Sequence, residues 1–296
     1  MNIAAFLRAH DFVLRKSLGQ HFLTDASVLS KILETAAIEP SDHIVEIGPG
    51  IGVLTMELLK HAAQVTAIEY DLRLIPLLQE FITETVKPAE VSESQEKIHA
   101  SNFQYVNILK IGSAASGIPE TKLTIVHGDA LEIPFPSEPY KIVANIPYHI
   151  TSPLLRHAFR ESEVHPKSMT LLIQREVAEK IVAKKDFGLL TILVSLFGTP
   201  KIVKIVPPGA FLPPPKVDSA ILHIDCFPKP LASPEIIDEV FRLTKTAFGQ
   251  KRKMLRNTLG GLEKGMELLA KANIDPTRRP QMLTVEEWIR LARTQV

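Results

Sequence analysis

His43-Ile44-Val45-Glu46-Ile47-Gly48-Pro49-Gly50-Ile51-Gly52, running on into residues 53–60, reads as a strand, a glycine-rich turn and a helix. That succession is the first unit of a nucleotide-binding α/β fold. The glycines let backbone approach a ligand closely, and the helix behind them offers its N-terminus to an anion. A second strand, Gln64-Val65-Thr66-Ala67-Ile68, ends in Glu69, 21 residues after Gly48. An acid at about 20 residues from the turn is spaced to grip ribose hydroxyls. No Gly-Lys-Ser/Thr follows, which argues against a P-loop. Pro49 inside the turn and Glu46 ahead of it are unlike the usual dehydrogenase fingerprint.

A third strand, Leu123-Thr124-Ile125-Val126, runs into His127-Gly128-Asp129-Ala130, where Asp129 stands at a strand end and can accept from an adenine amine. A fourth, Tyr140 to Ala144, is followed by Asn145-Ile146-Pro147-Tyr148. Pro147 cannot donate to a ladder and holds its neighbour extended, so the chain leaves the sheet here. In open α/β sheets ligands bind at the carboxyl ends of strands. The Asn145 side-chain oxygen and the Ile146 carbonyl make two converging acceptors, and Tyr148 adds an aromatic face. Together they suit a planar ring bearing an exocyclic NH₂. The other reading is a strand end with a turn and a core tyrosine; the tetrapeptide alone leaves both open.

Outside these units the chain is less specific. Residues 14–25, Leu-Arg-Lys-Ser-Leu-Gly-Gln-His-Phe-Leu-Thr-Asp, form a polar arm, with Asp25 placed to cap a helix bearing Val28, Leu29, Ile32 and Leu33. Residues 82–121 make a long connection, a surface excursion with a short strand near Tyr105–Ile111. Residues 207–216 are proline-rich and present Phe211, either as a second aromatic face or packed inward. Beyond residue 233 strand signals cease, and helices are expected over 234–248, 252–259, 264–272 and 285–293. Within this segment Lys251, Arg252, Lys253 and Arg256 cluster on or near one helix, as a solvated face or as phosphate contacts.

Composition sets the class. The 296 residues are 45% hydrophobic, enough for one large domain or one plus a small one. Cys226 is the sole cysteine, which excludes an internal disulfide and fits a reducing compartment. The longest apolar run, 189–197, is too short to span a bilayer, and no signal-peptide pattern opens the chain. These features read as a soluble cytoplasmic protein. The net charge of +1 is unevenly spread: residues 231–296 carry 12 Lys and Arg against 8 Asp and Glu. Local excess of this kind is compatible with nucleic-acid binding.

Taken together, RKSLGQHFLTD (15–25), VEIGPGIGVLT (45–55), IEYD (68–71), HGDAL (127–131), NIPYHIT (145–151), QREVAEK (174–180), FLPPPKVDSAI (211–221) and AFGQKRKMLRNTL (247–259) resemble the ribosomal RNA adenine-N6 dimethyltransferases, specifically the small-subunit KsgA/RsmA family. The resemblance implies a Rossmann-like class I methyltransferase: a seven-stranded mixed sheet over residues 1–229, including the arm, and a small all-helical, RNA-binding domain over 230–296. It implies S-adenosyl-L-methionine as donor, bound by His21, Leu23, Gly48, Glu69, Asp129 and Asn145. Position 21 departs from the family's commonest Asn. Asn145, Pro147, Tyr148 and Phe211 would form the catalytic site, with Tyr148 and Phe211 sandwiching a flipped adenine. Lys251, Arg252, Lys253 and Arg256 would contact RNA, and no metal is implied. The implied activity is dimethylation of two adjacent adenosines near the 3' end of 16S rRNA, by a monomer acting on a pre-ribosomal particle. Two alternatives stand beside it: a large-subunit rRNA adenine methyltransferase, and an RNA-binding assembly factor with secondary catalysis.

Overall fold

The computed structural model describes residues 3–15, 18–85, 91–94, 105–113 and 118–296. Lys16 of the arm and much of the 82–121 connection lie outside these. In chain order the strands are β1 (Phe22–Leu23), β2 (His43–Ile47), β3 (Gln64–Glu69), β4 (Val91–Ser94), β5 (Tyr105–Ser113), β6 (Ile118–His127), β7 (Lys141–Asn145), β8 (Ser168–Gln174), β9 (Gly198–Val206), β10 (Phe211–Leu212) and β11 (Ser219–Cys226). The helices are α1 (Ile3–Ala9), α2 (Ala26–Ala36), α3 (Val53–Leu59), α4 (Leu74–Thr85), α5 (Thr151–Arg156), α6 (Arg175–Ile181), α7 (Leu189–Phe197), α8 (Pro234–Phe248), α9 (Gly265–Lys271) and α10 (Val285–Arg293).

The main sheet has the order β4-β5-β6-β3-β2-β7-β8-β11-β9. Its centre, β6-β3-β2-β7-β8, is parallel throughout. Central parallel strands are covered on both faces and must be apolar on both. β2 meets this demand with all five residues buried, even though two of them are His43 and Glu46. α3 leads from β2 to β3, as a parallel pair requires.

The sheet has nine strands, where seven were expected. The expected seven are present as β6-β3-β2-β7-β8-β11-β9. The two extra ones come from the 82–121 connection. There β5 folds back antiparallel on β6, from Tyr105↔His127 to Ser113↔Ile118, and β4 pairs antiparallel with β5. Strands that follow one another in the chain can pair antiparallel without a crossover connection. The strand expected near 105–111 is therefore real and longer, and the excursion extends the sheet at one edge.

The chain packs into two compact units, residues 1–178 with 202–224, and residues 179–201 with 225–296. Residues 179–201 thus group with the C-terminal helices, whereas the expected boundary at 229/230 placed them in the first domain. In the first unit, Asp25 caps α2 as anticipated, accepting from the backbone N–H of Ser27 at 2.8 Å and of Val28 at 3.2 Å. α2 turns Val28 and Ile32 into a core shared with Ile44, Leu58, Val65, Leu78 and Leu123.

In the second unit, α8 and α10 pack together, and Trp288 is fully buried with its ring 6.3 Å from that of Phe248. Thr284 and Glu287 form a reciprocal cap at the start of α10. α8 and α10 have the expected bounds. The helix expected over 252–259 is replaced by short 3-10 turns at Leu255–Asn257 and Leu259–Gly261. The reason is local competition: the Leu255 N–H donates to the Arg278 carbonyl at 2.8 Å and that of Arg256 to Pro276 at 2.9 Å. Those donors are then lost to an i→i−4 ladder. No described helix is long and apolar enough to cross a membrane.

Candidate active site

A cleft of about 400 Å³ opens at the carboxyl ends of β2, β3, β6 and β7. The arm, the glycine turn, Glu69, Asp129 and the Asn145–Ile150 segment line it. Every one of these residues belongs to the first unit.

The glycine turn is built for close approach. Gly48 and Gly50 have φ of +67° and +62°, the left-handed region that side chains avoid. A Cβ on Gly50 would stand 2.8 Å from the Phe22 ring, so the arm packs against the turn only because that position is bare. The Gly50 N–H donates to Glu69 Oε2 at 3.1 Å, and the Asp71 N–H donates to Oε1 at 2.7 Å. Glu69 is thereby fixed by backbone at the end of β3. Burial pushes its carboxyl up to about 7, against the lowering effect of those N–H groups. Glu46, one strand over, accepts from the Thr55 hydroxyl at 2.6 Å, and burial drives it up to about 8, with Glu69 adding repulsion.

Asp129 follows β6 and closes its own turn, with Oδ1 accepting from the Leu131 N–H at 2.9 Å.

Asn145 ends β7. Its Nδ2 donates to the backbone carbonyl of His21 at 2.9 Å. The amide is therefore oriented by the arm, and no described residue donates to Oδ1. Pro147 continues in an extended conformation (φ −57°, ψ 132°) and starts the 3-10 turn Tyr148–Ile150. The Tyr148 hydroxyl lies 2.6 Å from Ser219 Oγ. The His21 ring faces that of Tyr148 at 5.9 Å and 22°, and His21 Nδ1 lies 2.7 Å from the Pro213 carbonyl. His21 thus contributes both backbone and side chain.

The arm is tied down at several further points. β1 pairs antiparallel with β10, Leu23 opposite Phe211. Thr24 donates twice to the Ala210 carbonyl, from its N–H at 2.8 Å and its hydroxyl at 3.0 Å. Gln20 Nε2 donates to Asp71 Oδ2 at 2.9 Å, and Arg73 forks onto the same carboxylate while its guanidinium lies 4.9 Å from the centre of the Phe12 ring.

Most of the expected site residues converge: His21, Leu23, Gly48, Glu69, Asp129, Asn145, Pro147 and Tyr148 all line the cleft. Phe211 does not. It is 4% exposed and belongs to the core cluster that contains Phe22, Leu23, Val206 and Ala210. The expectation that it offers an open aromatic face is corrected to the inward-packed alternative, because the β1–β10 pairing sets its side chain into that core. Lys251, Arg252, Lys253 and Arg256 are exposed in the second unit, and none pairs with an acid among the described residues. Sequence reasoning missed Gln20, Asp71 and Ser219. All three stand inside the quoted motifs, but their roles are hydrogen bonds to residues 51 and 71 positions away, which no local pattern encodes.

Comparison with known proteins agrees with this arrangement. A family model described as "Ribosomal RNA adenine dimethylase" matches residues 11–104 and 106–294. The chain is 43% identical over 290 residues to "Ribosomal RNA small subunit methyltransferase A" of Dehalococcoides mccartyi strain BAV1, covering 94% of this chain and 87% of that protein. It is 36% identical over 304 residues to the protein of that name from Clostridium botulinum strain Langeland, covering 99% and 98%. Among solved structures, a dimethyladenosine transferase from Plasmodium falciparum superposes with TM-score 0.69 at 26% identity, covering 92% of this chain and 96% of that one. The 23S rRNA methyltransferase ErmE gives 0.65 at 26%, covering 92% and 98%.

Proposed function

The chain belongs to the ribosomal RNA adenine dimethylase family, and from that premise we propose that it dimethylates N6 of two adjacent adenosines near the 3' end of 16S rRNA during ribosome biogenesis. The donor in this reading is S-adenosyl-L-methionine, the partner a pre-ribosomal small subunit, and the setting the cytoplasm, with the chain acting as a monomer. The observation that carries the reading is Asn145: an amide at the end of β7, oriented by the arm and sharing one cleft with the glycine turn, Glu69 and Asp129.

The residues present fit the donor. A cleft of about 400 Å³ lies within the usual span of roughly 300–1,000 Å³ for small-molecule sites. The positive-φ glycines leave backbone bare toward it, and the fixed Glu69 carboxyl is an acceptor for vicinal hydroxyls. Asp129 would receive the adenine amine, and Leu23, His21 and Gly48 would complete the wall. When bound, the donor supplies a methyl group on a sulfonium, whose departure as a neutral thioether needs no strong base.

What the chain adds is placement. The target amine is a poor nucleophile because its lone pair is delocalised into the ring. With Nδ2 of Asn145 held by the His21 carbonyl, Oδ1 accepts one amine hydrogen and the Ile146 carbonyl the other. This draws the nitrogen toward a pyramidal shape and frees its lone pair. Pro147 sets the direction of both acceptors. Tyr148 stacks on the flipped base, worth roughly 1–3 kcal/mol. Positioning of reacting groups supplies about 7–11 kcal/mol in favourable cases. Lys251, Arg252, Lys253 and Arg256 contact phosphates in this reading, and residues 230–296 serve as its RNA-binding helical domain.

Replacing Asn145 by Ala tests the assignment. Methyl transfer to unmodified small subunits is expected to fall at least about 100-fold, as for loss of a polar group that stabilises a transition state. Donor affinity, read by calorimetry, is expected to stay within a few-fold. Near-normal turnover in this variant removes Asn145 from the mechanism. A large-subunit target is the second reading, favoured by the likeness to ErmE. Incubating purified small and large subunits with labelled donor separates the two. An assembly factor with secondary catalysis would show donor binding with little transfer to either.

A further inference from the structure

Tyr148 stands on a short 3-10 turn, where nothing in the backbone dictates the plane of its ring. Two contacts do. Its hydroxyl meets Ser219 Oγ at 2.6 Å, and the His21 ring lies nearly parallel to it at 5.9 Å. Ser219 is itself fully buried, at the first position of β11, where Ala220, Ile221 and Leu222 are also fully buried. A serine hydroxyl in such a place must find a partner inside the protein, and among the described residues the one it has is the tyrosine hydroxyl. The sheet therefore supplies a fixed point for the far end of a ring whose near end is on a turn.

We propose that Ser219 is a positioning residue for the methyl acceptor: its buried hydroxyl anchors the Tyr148 hydroxyl and so holds the ring in the plane on which the target base stacks. This rests on the reading that Tyr148 stacks the base. Without the anchor the ring still fills the cleft wall but swings about its side-chain bonds, and each incoming base must order it. The cost falls on capture of the RNA acceptor. Donor binding changes little, because Ser219 itself does not line the cleft and the donor is held by Gly48, Glu69 and Asp129 rather than by the Tyr148 ring.

The test uses the full chain as wild type, Ser219→Ala, Tyr148→Phe, the double variant and Tyr148→Ala. KM and kcat are measured with unmodified small subunits, donor Kd by calorimetry, and Tm alongside. Ser219→Ala and Tyr148→Phe are each expected to raise KM for subunits by about three- to ten-fold, the size of one hydrogen bond. The double variant is expected to be no worse than either single one, and donor Kd to stay within about two-fold. A Ser219→Ala enzyme with unchanged KM overturns the proposal. So does additivity of the two single effects, or a loss of donor affinity in step with the loss of turnover, which marks a purely structural role. Tyr148→Ala separates the premise: if it leaves KM unchanged, base stacking itself fails and the proposal falls with it. If Tyr148→Ala raises KM and Ser219→Ala does not, only the anchor is wrong.

Discussion

Glu46 and Glu69 are two carboxyls buried beside a nucleotide-type cleft, and burial raises both, to about 8 and about 7. In the unfolded chain each returns to its ordinary value of 4.5. Between 4.5 and those raised values the folded state holds more protons than the unfolded state, so stability falls as pH rises through that window. The ligand-free protein is therefore expected to lose Tm between pH 5 and pH 8, and Glu46→Gln to flatten that slope; thermal melts across a pH series check it. Glu69 adds a functional counterpart. If ribose hydroxyls donate to its carboxylate, donor affinity rises with pH through about 7, the value to which burial pushes it. Calorimetry at pH 6 and pH 8 reads the direction: affinity that falls with pH argues that Glu69 binds in its neutral form, and a flat profile that its protonation does not enter donor binding.

Among the elements, the arm differs most from what its letters suggest. From residues 14–25 a polar loop and a capped helix are legible, since Asp25 and the spacing of Val28 and Ile32 are local signals. Its pairing with β10 is not, because a two-residue strand carries no periodicity. The same pairing decides Phe211, whose neighbouring prolines signal stiffness but not which way the ring points. Phe211→Ala is accordingly expected to cost about 3–5 kcal/mol of folding stability, as for a core phenylalanine. Denaturant unfolding checks this, and a stable variant impaired only in transfer would restore the open-face reading. The strand, glycine turn and acid of β2 and β3 were legible in full, because their chemistry and their spacing are both local. The helix expected over 252–259 failed for the opposite reason. Carbonyls of Pro276 and Arg278, about twenty residues on, take the N–H groups that an α-helix needs.

On the scale of the molecule, the cleft is made wholly by the first unit, while Lys251, Arg252, Lys253 and Arg256 belong to the second. If those cations neutralise phosphates, their removal weakens acceptor binding without touching the donor. Replacing Lys251, Arg252 and Lys253 by Ala is expected to reduce affinity for small subunits and to flatten its salt dependence by about 0.7–0.9 in log–log slope for each phosphate no longer neutralised. Binding measured at several salt concentrations gives the slope; an unaltered slope assigns the cluster to a solvated face. The sheet's extra hairpin is the other large-scale feature. A long connection rich in Glu and Ser announces an excursion, but its docking on β6 depends on register along the whole of β5, from Tyr105 to Ser113, which composition does not report.

The amide of Asn145 is steered by a main-chain oxygen, that of His21. Every amino acid owns such an oxygen, so the steering survives exchange of the side chain at position 21. Histidine can stand where asparagine is commoner without uncoupling the arm from Asn145. Erasing the hydrogen bond requires moving the arm's backbone, so if Asn145 holds the target amine, methyl transfer depends on the main-chain path of the arm rather than on the letter at that site.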